Sequence, residues 1–212
     1  MFAIQVSGVF LKIRSTQILT NVSVTIPTGE ILGLVGQNGS GKSMLMKCIC
    51  GFIKPNNGII EIFGVNYCKK GRFPDSVGFL IETPGFIERY SGYENLFRLA
   101  CIQKRISREG VIAAIQRVGL DPLSRRPVGK YSLGMKQRLG IAQAFMENPK
   151  LLLLDEPMNG LDKQGVNDIR ELIMELKRNG TTVLLTSHNP EDIEVLCDHV
   201  CEMEAGKLSQ IR

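Results

Sequence analysis

Eight consecutive residues, Gly36-Gln37-Asn38-Gly39-Ser40-Gly41-Lys42-Ser43, have the types and spacing to hold a chain of phosphates. They fit the pattern G-x-x-x-x-G-K-[ST]. Glycines let the backbone curl so that successive N–H groups face inward around an anion. The positive end of a following helix faces the same anion. Lys42 can reach β- and γ-phosphates, over a loop expected to be solvated, and the Ser43 hydroxyl suits Mg²⁺. The flanks agree: the apolar run Ile31 to Val35 precedes the loop, and a helical pattern with Leu45, Met46 and Ile49 on one side follows it. A glycine-rich turn with a chance lysine would lack that strand–loop–helix setting.

Two acids form a second group. Asp155 ends the run Leu151 to Leu154, and Glu156 follows it. A buried strand end holds a carboxylate rigidly, which suits water-mediated Mg²⁺ binding by Asp155. Glu156 can then polarise a water for in-line attack on a γ-phosphate. Such a pair can also merely cap the next turn; beside a phosphate loop the catalytic reading is the expected one. The third group is Tyr131 to Leu139. Ser132 caps a helix start and Gly134 bares its first-turn backbone, which makes a second anion site on a helix N-terminus. By itself this segment reads as a cap, since one nucleotide has no evident need of two such sites.

The elements that must position these groups follow from periodicity. Phe2 to Val6, Val9 to Ile13 and Val22 to Ile26, with a turn at Thr28-Gly29, read as an antiparallel sheet, and Gly58 to Gly64 is a further strand of that kind. Val77 to Ile81 is a buried strand. From Ser91 to about Asn148 the period is helical. Leu151 to Asp155 is a strand covered on both faces. A helix from about Asp162 to Asn179 ends at Gly180. Thr181 to Thr186 is another strand, Pro190 to Leu196 a short helix, and two short strands close the chain. Strands alternating with helices predict an α/β parallel core. The expected division is a core of 1–83 and 149–212 and a helical subdomain of 84–148.

Composition excludes several classes. The 212 residues carry 26 basic and 21 acidic side chains, a net charge of +5, which is no nucleic-acid footprint. Arg125, Arg126 and Lys130 are the one tight basic cluster and read as a solvated face. No apolar segment approaches bilayer length, and Met1 to Val6 has no basic n-region, so no signal peptide is expected. A cytosolic chain keeps its six cysteines reduced. Cys48 and Cys50 read as core. Cys197, His199 and Cys201 lack metal-site spacing and a fourth ligand. His199 reads as structural.

With these residues in this order, the chain resembles the ATP-binding subunit of an ABC (ATP-binding cassette) transporter over essentially its whole length. Gly36 to Ser43 matches the Walker A motif, with Met44 next to it, and Leu151 to Glu156 matches Walker B. Ser132 to Gln137 matches the signature, Asn159-Gly160-Leu161-Asp162 the D-loop, and His188 the switch histidine. The resemblance implies an α/β P-loop NTPase core, an N-terminal antiparallel β subdomain and an inserted α-helical subdomain. It implies that two cassettes, identical or different, sandwich two Mg-ATP. Ser132, Leu133, Gly134 and Met135 then face the partner's ATP, with Ser132 and Gly134 on its γ-phosphate. Lys42, Glu156 and His188 are the implied catalytic residues, His188 sensing the γ-phosphate. Ser43, Asp155 and Glu82 are the implied metal ligands.

Three positions depart from the family. Leu133 replaces the usual signature glycine. Ile13, with Phe10 nearby, stands where an aromatic side chain stacks on adenine. Glu82 occupies the position of the Q-loop glutamine. Glu82 and the phrase Ile81 to Phe86 resemble exporters that protect bacteria against bacitracin and lantibiotic peptides. That implies an ATPase at the cytoplasmic face of the membrane, driving a separate transmembrane permease and conferring antibiotic resistance. The permease would sit near Glu82 to Tyr93, where Phe86, Ile87 and Tyr90 either meet it or pack the insert. The alternative is a soluble ABC-type ATPase with a non-transport role. A chromosome-maintenance ATPase needs a long coiled coil between Glu82 and Ser132, which are only 50 positions apart. A cassette translation factor needs two cassettes. A module without catalysis would not need Glu156 and His188.

Overall fold

A computed structural model describes residues 1–67 and 73–212. Two sheets and, among the described residues, six α-helices organise the chain. Strands β1 (Phe2–Ile13), β2 (Thr16–Pro27), β4 (Asn57–Ile62) and β5 (Val65–Asn66) form an antiparallel sheet in the order β2-β1-β4-β5. Ile4 lies opposite Ile26 on one side and Ile62 on the other, so the apolar alternation of all three strands faces one core. The two segments expected on either side of Ser7 are one strand. Gly8, at φ 57°, absorbs a register shift between Val6 and Val9, and its N–H donates to Ser23 Oγ at 2.9 Å. The positive φ available to glycine turns an expected break into a bulge.

The second sheet has six strands in the order β10-β9-β3-β8-β7-β6. These are β10 (Lys207–Gln210), β9 (His199–Glu204), β3 (Ile31–Val35), β8 (Thr182–Thr186), β7 (Leu151–Leu154) and β6 (Val77–Leu80). All neighbours are parallel except the β9–β10 hairpin. Every residue of β7 and β8 is buried, as continuous apolar strands in a parallel sheet must be. Side chains alternate between faces. Leu152 and Leu154 join one apolar cluster, while Leu151 and Leu153 join the other, with Leu45, Met46 and the antiparallel sheet.

The helices are α1 (Lys42–Ile49), α2 (Gly92–Gln103), α3 (Arg108–Arg117), α4 (Leu133–Phe145), α5 (Lys163–Arg178) and α6 (Pro190–Leu196). Between β6 and β7 lie α2, α3, a 3₁₀ turn at Val128–Lys130 and α4. Ser91 and Glu94 cap α2 reciprocally, and Ser107 caps α3. The seam between insert and sheet is built on missing side chains. A Cβ on Gly78 would meet the Ala144 carbonyl oxygen at 1.8 Å, and one on Gly140 would meet Pro84 and Leu80. Helix α4 therefore lies close against β6, and its Leu139 and Phe145 share the cluster of Leu96, Ile115 and Leu152.

Candidate active site

The phosphate-type loop begins where β3 ends. At Gly36, φ is 138°, and a Cβ would lie 2.1 Å from the Met203 carbonyl oxygen, so only glycine fits. Gly39 and Gly41 also have positive φ. Gly41 is the N-cap of α1 and no side chain caps it, which leaves the first-turn N–H groups without side-chain partners at the positive end of the helix. Ser40 Oγ is buried and has no hydrogen-bond partner among the described residues. Met44 is half-buried and packs toward the cluster beneath the loop.

Lys42 corrects an expectation. Instead of standing over a solvated loop it is buried, and its Nζ donates to the carbonyls of Gly36 at 2.6 Å and Gln37 at 3.0 Å. A buried ammonium needs acceptors, and the loop's own carbonyls are the nearest ones.

Strand order brings the second group in. Strand β8 lies between β3 and β7, so Thr186 stands between the loop and the acids. Asp155 accepts from Ser43 Oγ at 2.6 Å and from Thr186 Oγ1 at 2.7 Å, across 112 and 31 residues of sequence. Thr186 Oγ1 in turn accepts from the Glu156 N–H at 2.8 Å. Glu156 takes the left-handed conformation, φ 50°, an uncommon one for a residue with a side chain. Its backbone carbonyl and that of Pro157 accept from buried Gln137 at 3.0 and 3.1 Å.

The Glu156 Oε1 lies 3.1 Å from His188 Nε2 without hydrogen-bond geometry. Burial pushes the Glu156 carboxyl above the ordinary carboxylate range, and Asp155 adds to the rise. His188 and Lys42 pull against it. Such a carboxylate is more basic than a solvated one. His188 Nε2 also lies 2.9 Å from Asn38 Oδ1, which joins the phosphate-type loop to the histidine.

The signature segment lies elsewhere on the surface of this chain. Ser132 Oγ accepts from Met135 N at 3.2 Å and caps α4, while the Leu133 side chain is 64% exposed. A Cβ on Gly134 would meet the Gly160 carbonyl oxygen at 2.7 Å, and one on Gly160, where φ is 75°, would meet Leu133 Cδ2 at 2.8 Å. The signature thus seats on the D-loop of its own chain. Asn159 donates to the Glu156 carbonyl at 3.1 Å, Leu161 to that of Met158 at 3.2 Å, and Asp162 caps α5 through Gly165 N. Among the described residues no hydrogen bond joins Ser132 to Met135 with the phosphate-type loop.

Glu82 has φ 60°, and its exposed carboxylate pairs with Lys47 at 2.5 Å. Lys47 lies one helical turn beyond Ser43 on α1, so Glu82 sits beside the Ser43–Asp155 pair rather than on it. Phe86 packs into the cluster of the insert, Ile87 is exposed, and half-buried Tyr90 carries Arg98 over its ring at 4.2 Å. Ile13 is 41% exposed and Phe10 is partly buried on the same strand. His199 Nε2 lies 2.5 Å from Glu30 Oε2. Burial pushes the Cys197 thiol up to about 12, and no cluster suited to a metal occurs among the described residues. Cys50, Cys101, Cys197 and Cys201 are free thiols, whereas Cys68 lies outside the described residues. Arg125, Arg126 and Lys130 are exposed, and Arg126 donates to the Lys130 carbonyl.

Thr186 and Gln137 escaped the sequence reading as site residues. Thr186 was legible only as the end of a β-branched strand. Gln137 stood inside the quoted signature, and the backbone it braces could not be read from spacing.

Known proteins match this arrangement. The model of a family described as ABC transporter matches residues 19–159. An uncharacterized ABC transporter ATP-binding protein of Bacillus subtilis, YybJ, is 44% identical over 205 residues, 97% of this chain and 94% of that protein. The bacitracin transport ATP-binding protein BcrA of Enterococcus faecalis is 40% identical over 98% of this chain and 68% of its own length. A solved ATP-binding subunit of an ABC transporter superposes with a TM-score of 0.87 at 27% identity, covering 99% of this chain and 90% of that one.

Proposed function

This chain belongs to the ABC transporter family, and on that premise we propose that it binds and hydrolyses Mg-ATP to drive a separate transmembrane permease, as one of a pair of ATP-binding subunits. The observation that carries the reading is the continuous line Ser43–Asp155–Thr186–Glu156–His188–Asn38, which joins a phosphate-type loop to a basic carboxylate.

In this reading the loop from Gly36 to Met44 wraps the phosphates, and the uncapped N-terminus of α1 faces them. Lys42 exchanges its two loop carbonyls for β- and γ-phosphate oxygens. The buried, unpartnered Ser40 hydroxyl is a ready donor to the same anion. Ser43 and Asp155 are oxygen donors already side by side, which fits a Mg²⁺ held through the hydroxyl and a water. That ion would neutralise charge developing on the β- and γ-phosphates. Glu156 takes a proton from the attacking water as the bond between the γ-phosphorus and the bridging oxygen breaks, leaving ADP and phosphate. The burial that raises its basicity serves that step. His188 points Nε2 between Glu156 and Asn38, where a γ-phosphate can take its hydrogen bond.

Ser132 to Met135 serve the ATP of the second subunit, with Asn159 to Asp162 between the two sites, and the helical insert 84–148 moves as a unit. Among the described residues no helix is long and apolar enough to cross a membrane. In this reading a separate permease holds the chain peripherally on the cytoplasmic face. The family's bacitracin transport member supports an exporter of peptide-antibiotic type.

Hydrolysis of Mg-ATP by the purified chain tests this directly. Glu156→Gln should bind ATP, turn it over slower by about 10²-fold or more, and accumulate as an ATP-dependent dimer in sizing chromatography. Unaltered turnover would overturn the assignment of Glu156, and a monomer with and without Mg-ATP would overturn the pairing. Co-purification with a membrane protein tests the permease.

A further inference from the structure

We propose that Asp192 is a positioning residue for His188: it holds Ser187, which fixes the backbone on both sides of the histidine, and its partner Arg170 ties that hold to the helix that begins at the D-loop. The proposal rests on the reading of Glu156 and His188 given above.

The His188 side chain is 49% exposed, so packing does little to aim its ring. Beyond the contact of Nε2 with Asn38 Oδ1 at 2.9 Å, its direction is set by the backbone that carries it. Strand β8 ends at Thr186, and the next residue, Ser187, is buried. Ser187 Oγ donates to Asp192 Oδ2 at 2.6 Å and accepts from Asn189 N at 3.0 Å. One hydroxyl therefore pins the residues before and after His188.

Asp192 is 1% exposed and belongs to the first turn of α6. Its other oxygen, Oδ1, accepts from Arg170 Nε at 2.8 Å and Nη2 at 2.5 Å, and Nη2 also reaches Glu191 Oε2 at 3.0 Å. Arg170 is itself buried and lies on α5, about two turns from the Asp162 cap. Arg170 thereby links the helix that follows the D-loop to the segment carrying the histidine, through Asp192 and Glu191.

Stability alone does not account for the pair. Buried ion pairs are commonly no better than apolar residues of the same volume, because two charges must be desolvated. What an apolar pair cannot supply is an acceptor for Ser187. Both oxygens of Asp192 are used: one faces the arginine, the other the serine next to His188.

The chain has two histidines, which makes the test direct. The ring resonances of His188 and His199 can be followed by NMR, with His188→Ala assigning the pair by subtraction. Ser187→Ala should shift and broaden the His188 resonance and leave that of His199 in place. The paired change Arg170→Met with Asp192→Leu, which keeps the buried volume filled, should do the same. An unchanged His188 resonance in both variants overturns the proposal, whether or not the chain hydrolyses ATP.

In turnover, Ser187→Ala should lower kcat about tenfold, the size of one lost buried hydrogen bond, with KM for Mg-ATP within about twofold. In a His188→Ala background it should cost nothing further, because both changes act through one group. Additive losses would mean a general structural role and would overturn the proposal. A chain that never hydrolyses ATP would instead sink the catalytic reading, and the resonances would still decide the positioning.

Discussion

Two helices of this chain begin at a glycine-containing turn, and their N-termini are finished in opposite ways. At α1 no side chain caps the first turn, and Ser43, Asp155, Lys42 and, through Asn38, His188 gather around the loop. At α4 the Ser132 hydroxyl caps the first turn, Leu133 stands in solvent, and the D-loop around Gly160 lies beneath it. The first start is walled by its own chain; the second is presented outward. Both carry the positive end of a helix dipole. The difference lies in which one finds acids and a lysine from its own chain. In the proposed division of labour α1 holds this chain's nucleotide and α4 completes a site on another.

The comparison breaks most sharply at Lys42. Lys42→Ala should abolish ATP hydrolysis and remove binding of a fluorescent ATP analogue at concentrations that saturate the natural chain. It should also destabilise the fold by about 1–3 kcal/mol, because the Gly36 and Gln37 carbonyls lose their buried donor. Equal analogue binding would show that the loop does not hold the nucleotide, and equal melting would show that the two carbonyls find water.

Gly160→Ala probes the other start. The new side chain would adopt an unfavourable positive φ and press on Leu133, a strain of about 1–3 kcal/mol. Hydrolysis should fall by an order of magnitude or more while analogue binding to the monomer is unchanged. Weaker monomer binding would mean that the two helix starts are not separable. Ser132→Ala is milder. Loss of the cap should cost about 1 kcal/mol, or roughly 2–4 °C in melting temperature, with hydrolysis reduced and monomer affinity intact.

Glu82→Gln sharpens the comparison at the edge of the first site and should have the smallest effect. Activity should stay within roughly tenfold, since an amide oxygen can still coordinate a metal. The Mg²⁺ concentration for half-maximal activity should rise. The pair with Lys47 is solvent-exposed and contributes little stability, so melting should hardly change. Superimposable magnesium titrations would confine Glu82 to its pair with Lys47.

Much of this was legible without coordinates. The four leucines of β7 read as a strand buried on both faces, Asp162 and Gly180 bracket α5, and the glycines of the loop announced a backbone no other residue adopts. These are local facts: periodicity, caps and φ preferences act over a few residues, so the chain itself determined them. Single residues near Gly8 were misread because a bulge and a break leave the same mark on a short alternating pattern.

The site's partnerships were settled only in three dimensions. Ser43 meets Asp155 because β8 runs between β3 and β7, and that order places Thr186 as the bridge. Lys42 turns onto its own loop, Glu82 onto Lys47, and Gln137 onto the carbonyl of Glu156, each for want of a nearer partner for a charge or a polar group in the packed structure. The sequence by itself determined which chemistries were available and which segments would be strand, loop or helix. Which carboxylate each hydroxyl and cation would face depended on strand neighbours dozens of residues away, because hydrogen bonds and ion pairs are decided by distance in space and not by distance along the chain.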